Sequence, residues 1–353
     1  MKKFRVSLIC LVVSLLVLPC AALAELKVSF FDAGAGAAVL VQADGQTALI
    51  DALGQPDAQA LFNTLDGLGI TKVELLAETL PFTGQQEEAE AAFGTFQTSA
   101  LWLPVAQVTE QTAGGFAGAS VPASEQSFAL GGAKITALPV SDLTGEPALA
   151  LRIEYGQRFF LVLPPAQIAA GSLTGEAETK KADVVRVKDG ADLALAEAAS
   201  ALWAVAGELP AQAEGAEDAA SGPLVLRPSL DGVITFITDG TAIREEHAAG
   251  AVTIKGSVNV RREAKTTAKR VTTLLKGTLV TVTGSVAGGE GVWYAVDIQG
   301  KPGYIRADLV RELTGEELEG LQTKAAQKPA KQNGNSSGKK GSGGEEAPPA
   351  ECH

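Results

Sequence analysis

The sequence predicts an α+β protein made of two folded domains. Short apolar segments separated by Gly, Pro and Asp-Gly turns dominate the chain, and few segments have helical periodicity. Residues 25–249 contain 11 Lys and Arg against 30 Asp and Glu, a net charge of −19, whereas residues 250–313 contain 10 against 5, a net charge of +5. Such a change is typical of a domain boundary. The length of 353 residues suits two domains of about 150 residues each with appendages.

Residues 1–24 predict a secretory signal peptide. Three cationic residues precede an apolar segment at residues 6–18, and small residues lead to a cleavage position after Ala24. The protein is therefore expected to be secreted, with no membrane span after cleavage. A lipoprotein anchored through Cys20 is the alternative, although Leu-Pro before this cysteine makes a poor lipobox. Only Cys352 then remains, which excludes an intramolecular disulfide.

The first domain is predicted to open with a β-hairpin and a helix. Residues 26–31 and 39–41 read as strands, and Asp44-Gly45 reverses the chain into residues 47–51, because this dipeptide accepts the positive φ of a tight turn. Residues 56–68 place leucines on one helical face, with Gly69 as the stop.

The rest of the first domain is predicted to be mainly strand. Expected elements are a strand ending at Leu101-Trp102, strands at residues 135–140, 149–155, 159–163 and 182–187, an alanine-rich helix at residues 193–204, and strands at residues 223–228 and 232–238.

Residues 70–93 predict a strand, a turn and a helix in succession. Apolar Val73, Leu75, Leu76 and Ala77 indicate a buried strand. Pro81 and Gly84 indicate a turn, and the acidic segment from Gln86 indicates the first turns of a helix. A strand-turn-helix of this kind often carries a functional site.

This segment resembles the signature of the metallo-β-lactamase fold, most closely the variant in competence DNA-uptake proteins (ComEC type). The resemblance rests on Thr79 and Pro81 here, and on a matching register earlier in the chain at Phe30, Asp32, Gly34, Gly36, Ala38, Leu49, Ile50 and Asp51. It implies a four-layer αββα sandwich over residues 25–249, with a binuclear metal site at the strand ends.

The metal-ligand positions implied by the resemblance carry other residues. The His-Pro-His-x-Asp-His positions hold Leu80, Phe82, Gly84 and Gln85, the Gly-Asp pair is replaced by Pro164-Pro165, and the paired-histidine turn by Lys188 and Asp189. Zinc and similar metals need imidazole or carboxylate donors, which Leu and Phe cannot supply. We therefore expect no metal, no cofactor and no catalytic residue. Apolar packing by Leu80, Phe82 and Ala37 is expected to fill the space.

Several polar residues leave alternatives open. Asp32 and Asp51 are expected to serve turns and loops rather than a residual cation site, and Glu78 and Asp189 could at most hold calcium weakly. His247 is expected to be a surface histidine. The chain has no nucleophile elbow and no phosphate-binding loop. A divergent hydrolase of the same superfamily with a non-standard site remains the alternative to a pseudoenzyme.

Residues 250–313 are similar to a bacterial SH3-like (SH3b) domain, a small barrel of short strands. The resemblance rests on the markers Val258–Arg261, Leu274–Gly277, Val280–Val282, Trp293–Val296 and Gly303–Leu309.

The SH3b resemblance implies binding of a cell-envelope ligand, a peptidoglycan peptide or an anionic polymer. The candidate ligand-binding residues are Trp293, Tyr294, Tyr304, Arg261, Arg262 and Arg306. The alternatives are that Trp293 and Tyr304 pack the barrel, and that the partner is a protein.

The charges and the C-terminal composition complete the prediction. The acidic first domain makes nucleic-acid binding unfavourable. Residues 314–353 are rich in Lys, Gly, Ser and Pro and are expected to stay disordered. The sequence as a whole predicts a secreted, cell-wall-associated pseudoenzyme of unknown oligomeric state.

Overall fold

The structure is a computed structural model of the chain. It describes residues 24–32, 37–53, 58–81, 97–104, 119–168, 173, 181–189, 193–208, 222–247, 249–298 and 300–313. All of them belong to one compact unit that spans residues 1–314. The predicted signal peptide, the predicted helix after Gln86 and the predicted disordered tail lie outside the described residues, and the predicted boundary at Gly250 stays a prediction.

The first part of the chain is mostly strand. The strands are β1 (Leu26–Asp32), β2 (Ala37–Ala43), β3 (Gln46–Ile50), β4 (Leu75–Ala77), β5 (Ala100–Trp102), β6 (Ala119–Ser120), β7 (Gln126–Leu130), β8 (Ala133–Ser141), β9 (Pro147–Tyr155), β10 (Arg158–Val162), β11 (Val184–Asp189), β12 (Trp203–Glu208), β13 (Leu224–Leu226), β14 (Ile234–Thr238) and β15 (Ile243–Glu246). Within the described residues the helices are α1 (Ala58–Gly67), α2 (Leu193–Ala198) and α3 (Pro228–Asp231). None of these helices is long and apolar enough to cross a membrane.

These strands form two sheets. The first runs β15-β14-β1-β2-β3-β4-β5-β6 and the second β13-β12-β11-β10-β9-β8-β7. Each sheet is antiparallel where hairpins connect its strands, whereas β3 to β6 and β10 to β13 are parallel. Parallel neighbours end at the same edge of a sheet, so the carboxyl ends of β3 and β4 lie side by side.

The main core lies between the two sheets. Phe236 on β14 makes edge-to-face contacts with Phe30 on β1, at 5.9 Å between ring centroids, and with Phe160 on β10 and Trp203 on β12, at 6.0 and 5.5 Å. These aromatic rings thus join one sheet to the other, and such pairs add to the stabilisation from burial.

Each outer sheet face carries a described helix. Phe62 and Leu65 of α1 pack on the first sheet, and Ala196 of α2 packs against the second sheet beside Val185 and Ala204. The structure therefore has two β layers with helical cover on both sides. The complete four-layer αββα sandwich is not confirmed, because the described outer layers contain one helix each.

The predicted helix over residues 193–204 is wrong in its second half. The helix α2 ends at Ala198, Ser200 has a φ of 53°, and Trp203 begins strand β12. Alanine favours helix, but residues 203–206 are buried and pair on both edges with β11 and β13. Burial of this kind overrides helix propensity.

The C-terminal part is all β, as predicted. Its strands are β16 (Ala249–Thr253), β17 (Ser257–Arg261), β18 (Arg270–Leu275), β19 (Leu279–Gly288), β20 (Gly291–Asp297), β21 (Pro302–Arg306) and β22 (Val310–Glu312), with a 3-10 turn at Ala307–Leu309. Its own core contains Val258, Val260, Val282, Val296 and Ile305.

The C-terminal strands continue the first sheet. Strand β15 pairs with β19, with Glu245 opposite Ser285. Gly284 permits this approach, because its φ is 146° and a Cβ there would lie 2.3 Å from the carbonyl oxygen of Glu245. The Trp203 indole N–H donates to Ser285 Oγ at 2.8 Å, and Ser285 Oγ donates to Glu245 Oε2 at 2.7 Å. The barrel is therefore docked on the first part by backbone pairing and by buried hydrogen bonds.

We expect Ser285→Ala to weaken this contact. The substitution leaves the buried Trp203 N–H and Glu245 Oε2 without this partner, so the free energy of unfolding should fall by about 1–3 kcal/mol. Urea unfolding followed by tryptophan fluorescence measures the loss. Ser257→Ala removes an exposed hydroxyl and is the control, with a change within about 0.5 kcal/mol. Equal effects of the two variants would contradict the role of Ser285.

Candidate functional site

The positions that the family resemblance assigns to the site lie at the ends of β3 and β4. Ile50 pairs in parallel with Ala77, so Asp51, Glu78 and Thr79 follow at the same sheet edge. All three are buried, at 3%, 4% and 0% exposure. Three buried polar side chains at one edge must satisfy one another or reach the facing sheet.

Arg186 supplies the partner from the second sheet. It lies on β11 between apolar residues, and alternation along the strand turns it inward with Val184 while Val185 and Val187 face outward. Its guanidinium is 2% exposed. Arg186 thus crosses the core from one sheet to the other.

The guanidinium is held by a carboxylate and by two backbone carbonyls. Arg186 Nη2 lies 2.5 Å from Asp51 Oδ2, Nη1 donates to the carbonyl oxygen of Ala37 at 2.7 Å, and Nε donates to that of Leu163 at 3.0 Å. Nη2 also donates to Thr79 Oγ1 at 3.3 Å. A buried charge pair persists only with such supporting hydrogen bonds.

Asp51 is bonded through both of its carboxylate oxygens. Oδ1 accepts from the Thr79 backbone N–H at 2.6 Å, and Oδ2 accepts from Thr79 Oγ1 at 2.7 Å, in addition to the ion pair with Arg186. Its backbone has a φ of 53°, which turns the chain sharply at the end of β3. Asp51 therefore ties together β3, β4 and β11 rather than serving a surface loop.

Glu78 is bonded to the chain that follows Asp51. Its Oε1 accepts from the backbone N–H groups of Ala52 and Leu53 at 3.2 and 3.0 Å. Burial, and then the negative charge of Asp51, raise the pKa of the Glu78 carboxyl well above its usual range. The protonated form of Glu78 is favoured in consequence, which leaves Asp51 and Arg186 as the main charge pair.

These residues do not fit the metal centre that the resemblance implies. A divalent ion here would lie against the guanidinium of Arg186, and Asp51 has no oxygen that is not already bonded. Within the described part of the chain, no group of three or more His, Cys, Asp or Glu side chains could hold a metal ion. The permanent positive charge of arginine lies beside Asp51 and opposes the approach of a cation to this carboxylate.

The other positions that the resemblance assigns to metal ligands differ in exposure. Leu80 is half-buried and packs with the outer core of the second sheet, Pro165 and Asp189 are half-buried, and Lys188 is exposed. Phe82, Gly84 and Gln85 lie outside the described residues. Asp32 is exposed at the end of β1.

Sequence reasoning missed Arg186. The sequence predicted apolar packing by Leu80, Phe82 and Ala37 near these strand ends, and the structure adds a buried charged residue there, while Phe82 lies outside the described residues. The available signal was an arginine within the otherwise apolar segment Val184–Val187. A charged residue in a buried strand indicates a buried group of opposite charge that pairs with it.

The candidate residues of the barrel fall into two groups. Trp293 and Tyr294 are 2% and 3% exposed and belong to buried layers. Tyr304 and Arg261 are half-buried neighbours across β17 and β21, and Arg306 donates to both carboxylate oxygens of Asp308 at 2.5 Å. Of the six candidates, Tyr304, Arg261, Arg306 and the exposed Arg262 reach the surface.

The expectation of a surface histidine at position 247 is wrong. His247 is 6% exposed; Nδ1 lies 2.7 Å from Glu245 Oε1 and Nε2 lies 3.2 Å from Glu312 Oε1. Carboxylates only accept hydrogen bonds, so both ring nitrogens carry protons. Burial by itself lowers the pKa of His247, but the bonds with Glu245 and Glu312 outweigh burial and raise this pKa to about 10.

The histidine network joins the barrel to the first part of the chain. Burial raises the pKa of Glu312, yet its hydrogen bond with His247 outweighs burial and leaves that pKa below the ordinary value. The Tyr294 hydroxyl also bonds Glu312, and burial, followed by the charge of Glu312, raises the pKa of Tyr294. Because β22 carries Glu312, the last strand of the barrel is fixed by His247, which directly follows β15.

Comparison with known proteins supports the two-part description. Residues 256–311 match the family model of the bacterial SH3 domain. Among solved structures, the chain is similar to a diphosphatase of the PhnP family, with 15% identity, coverage of 57% of this chain and 94% of that chain, and a TM-score of 0.41. It is also similar to the metallo-β-lactamase fold protein YhfI from Bacillus subtilis, with 15% identity, coverage of 54% of this chain and 88% of that chain, and a TM-score of 0.40. It is also similar to the metallo-β-lactamase SMB-1 (14% identity, 45% and 79%, TM-score 0.34).

YhfI and SMB-1 are metallo-β-lactamase fold proteins by name, the class that the sequence motifs predicted. No curated protein matches the chain in sequence.

Proposed function

We propose that the first part of the chain is a metal-independent, non-hydrolytic form of the metallo-β-lactamase fold, of the competence-protein type, and that the bacterial SH3 unit retains the protein at the cell envelope. The observation that carries the first half of the proposal is the buried Arg186, paired with Asp51 at the strand ends.

The chemistry of this pair argues against hydrolysis. Hydrolytic members of such a fold need a metal-bound water of lowered pKa in an open coordination position. A guanidinium has no coordination position to offer, and its charge opposes the entry of a cation. The two nearest carboxylates do not replace the metal, because Asp51 and Glu78 are buried and bonded to backbone amides.

The envelope role rests on the barrel and on the N-terminal segment. A bacterial SH3 domain spans residues 256–311, and the N-terminal segment has the composition of a secretory signal. Tyr304, Arg261 and Arg306 are the surface residues that we assign to the ligand, a peptidoglycan peptide or an anionic polymer. Trp293 and Tyr294 instead support the barrel and its contact with the first part.

Metal independence is tested on the purified mature chain. After incubation with zinc and manganese and removal of free ions, elemental analysis should find far less than one metal per chain. The thermal unfolding midpoint should also be unchanged by a chelator, because removing a bound ligand would lower it. Ester or phosphodiester hydrolysis that disappears with chelator, or one tightly bound metal per chain, would contradict the proposal.

Envelope binding is tested by co-sedimentation with purified cell wall. The full mature chain is required, since removal of the barrel would expose the buried Trp203 and leave β15 without its partner strand. We expect the wild type to sediment with the wall and the Tyr304→Leu/Arg306→Gln variant to be depleted at least about threefold. Lys255→Gln/Lys276→Gln changes two exposed lysines elsewhere on the barrel and is the control. Recovery of the wild type no higher than that of an unrelated acidic protein would contradict an envelope role.

A further inference from the structure

Four cationic residues lie at one end of the hairpin formed by β17 and β18. Arg261 lies opposite Arg270 in the strand register, and the Arg262 N–H donates to the Lys269 carbonyl at 3.0 Å. The backbone thus places two pairs of cationic residues beside each other at successive positions. We call Arg261, Arg262, Lys269 and Arg270 the hairpin cation cluster.

A β-bulge creates the first of these pairs. Val260 lies opposite Thr272, but Arg261 lies opposite Arg270, so Val271 is the additional residue. Regular pairing would have placed Val271 across from Arg261. Bulges re-aim side chains, and this one exchanges an apolar neighbour for a second arginine. Like charges placed directly opposite destabilise a sheet, so the arrangement costs stability in the absence of an anion.

The cluster is not neutralised within the described part of the chain. Arg262, Lys269 and Arg270 are exposed, and no described carboxylate forms an ion pair with them. Arg261 Nη1 donates to the Ala268 carbonyl oxygen at 2.8 Å, a neutral acceptor that fixes the direction of the guanidinium and leaves its charge.

The two carboxylates of the adjoining loops are already engaged. Glu263 Oε2 lies 2.5 Å from Lys265 Nζ. Glu290 accepts from the Thr266 hydroxyl at 2.5 Å and from its N–H at 3.2 Å. These bonds hold the loop between β17 and β18 against the β19–β20 hairpin without using any residue of the cluster.

We propose that the hairpin cation cluster binds phosphate groups of an anionic envelope polymer. This inference rests on the envelope role proposed above and names the ligand class and its site. Three of the four cations are arginines, whose planar forks match the oxygens of phosphate better than an ammonium does. Tyr304 lies across β17 from the cluster, opposite Arg261, and extends the same surface.

A polymer suits the surroundings of the cluster better than a lipid surface. The exposed leucines near this hairpin are Leu275 at the end of β18, at 70%, and Leu279 at the start of β19, at 43%. Leu275 lies opposite Ser257, at the far end of the strand pair, roughly 16 Å from Arg270 at the rise of a β-strand. Binding at a membrane surface joins cations with apolar residues that enter the acyl boundary, and here the two are separated.

The negative net charge of the whole chain disfavours binding of densely charged anionic partners. The net charge is −12, which repels a duplex with one charge per about 1.7 Å. A flexible polymer with widely spaced phosphates can place a few of them within the screening length of about 8 Å around the cluster and leave the rest in solvent.

The test measures binding of soluble poly(glycerol phosphate) to the full mature chain. We compare Arg262→Gln/Lys269→Gln/Arg270→Gln with Lys255→Gln/Lys276→Gln/Lys301→Gln, which removes the same three charges from exposed positions elsewhere on the barrel. Three exposed charge contacts of ordinary strength amount to about tenfold in affinity. We expect that loss in the cluster variant and less than about threefold in the control. The unfolding midpoint should be unchanged in the control and equal to or slightly above that of the wild type in the cluster variant, because the opposed like charges are gone.

The outcomes separate this inference from the envelope role. Equal losses in the two variants would assign binding to overall charge and overturn the site. Binding to phosphatidylglycerol vesicles without binding to the polymer would overturn the ligand class. A wild type that sediments with wall but does not bind the polymer refutes the cluster and leaves the envelope role intact. A wild type that binds the polymer and ignores the wall supports the cluster and refutes the envelope role.

Discussion

Replacement of Arg186 by methionine is expected to lower the free energy of unfolding by about 3–5 kcal/mol, because it leaves the buried carboxylate of Asp51 without its counter-charge. Methionine keeps the unbranched apolar stem of the side chain and needs no hydrogen bonds, so the loss comes mainly from charge and hydrogen bonding. The carbonyl oxygens of Ala37 and Leu163 lose their donors in the same step. Urea unfolding monitored by tryptophan fluorescence gives the measurement.

A second arginine provides the control for this effect. Arg244 pairs with Glu246 at 3.1 Å, with side chains 51% and 54% exposed, and Arg244→Met should cost less than about 1 kcal/mol. The double variant Asp51→Asn/Arg186→Met removes both buried charges and should be more stable than Arg186→Met alone. If Arg186→Met and Arg244→Met cost the same, the buried pair does not organise the strand ends.

The Arg186→Met variant also tests whether these strand ends can bind a metal ion. A site that retained affinity for zinc would regain stability when the metal is added to Arg186→Met, because the ion would replace the lost positive charge. We expect no such recovery, since Leu80 and Pro165 offer no donor atoms at the former ligand positions. Stability restored by zinc would show that the arginine alone keeps the metal out.

The sequence predicted local features of this site and missed its long-range partner. Local strand and turn signals put Asp51 and Thr79 each at the end of a strand, and the family resemblance implied that both lie at one site. Arg186 is 107 residues from Thr79 in the chain. No periodicity connects residues that far apart, and only the packing of one sheet on the other brings them together.

In the barrel, too, local features could be predicted from the sequence and long-range contacts could not. The resemblance to the SH3b domain gave the order of its segments, whereas the role of Trp293 and Tyr294 depended on what covers them. Ser285 reads as an ordinary strand residue in sequence, yet it is 0% exposed and bonds Trp203, 82 residues away. Ser285 and Trp203 are buried because the barrel packs against the first part of the chain. The pattern of a single segment does not predict such a contact.

A decline of stability between neutral and alkaline pH is the second large effect that we expect. His247 has a pKa of about 10 in the folded protein against about 6.5 for an unperturbed histidine. Its contribution is therefore complete below pH 6.5 and is lost as the pH rises through 10. The shift corresponds to about 5 kcal/mol in total. The groups that face the imidazole are Glu245, Glu312 and Tyr294.

His247→Gln separates this contribution from general alkaline effects. Near pH 7 the variant should be about 3–5 kcal/mol less stable than the wild type, because Glu245, 2% exposed, keeps its buried charge without a cation. Near pH 10 the two proteins should converge, since wild-type His247 is then losing its proton. Glu246→Gln, at the exposed neighbouring position, should follow the wild-type curve. Unfolding curves measured from pH 6 to 10 that stay parallel for wild type and His247→Gln would show that a charged histidine does not fasten the last strand of the barrel to the first sheet.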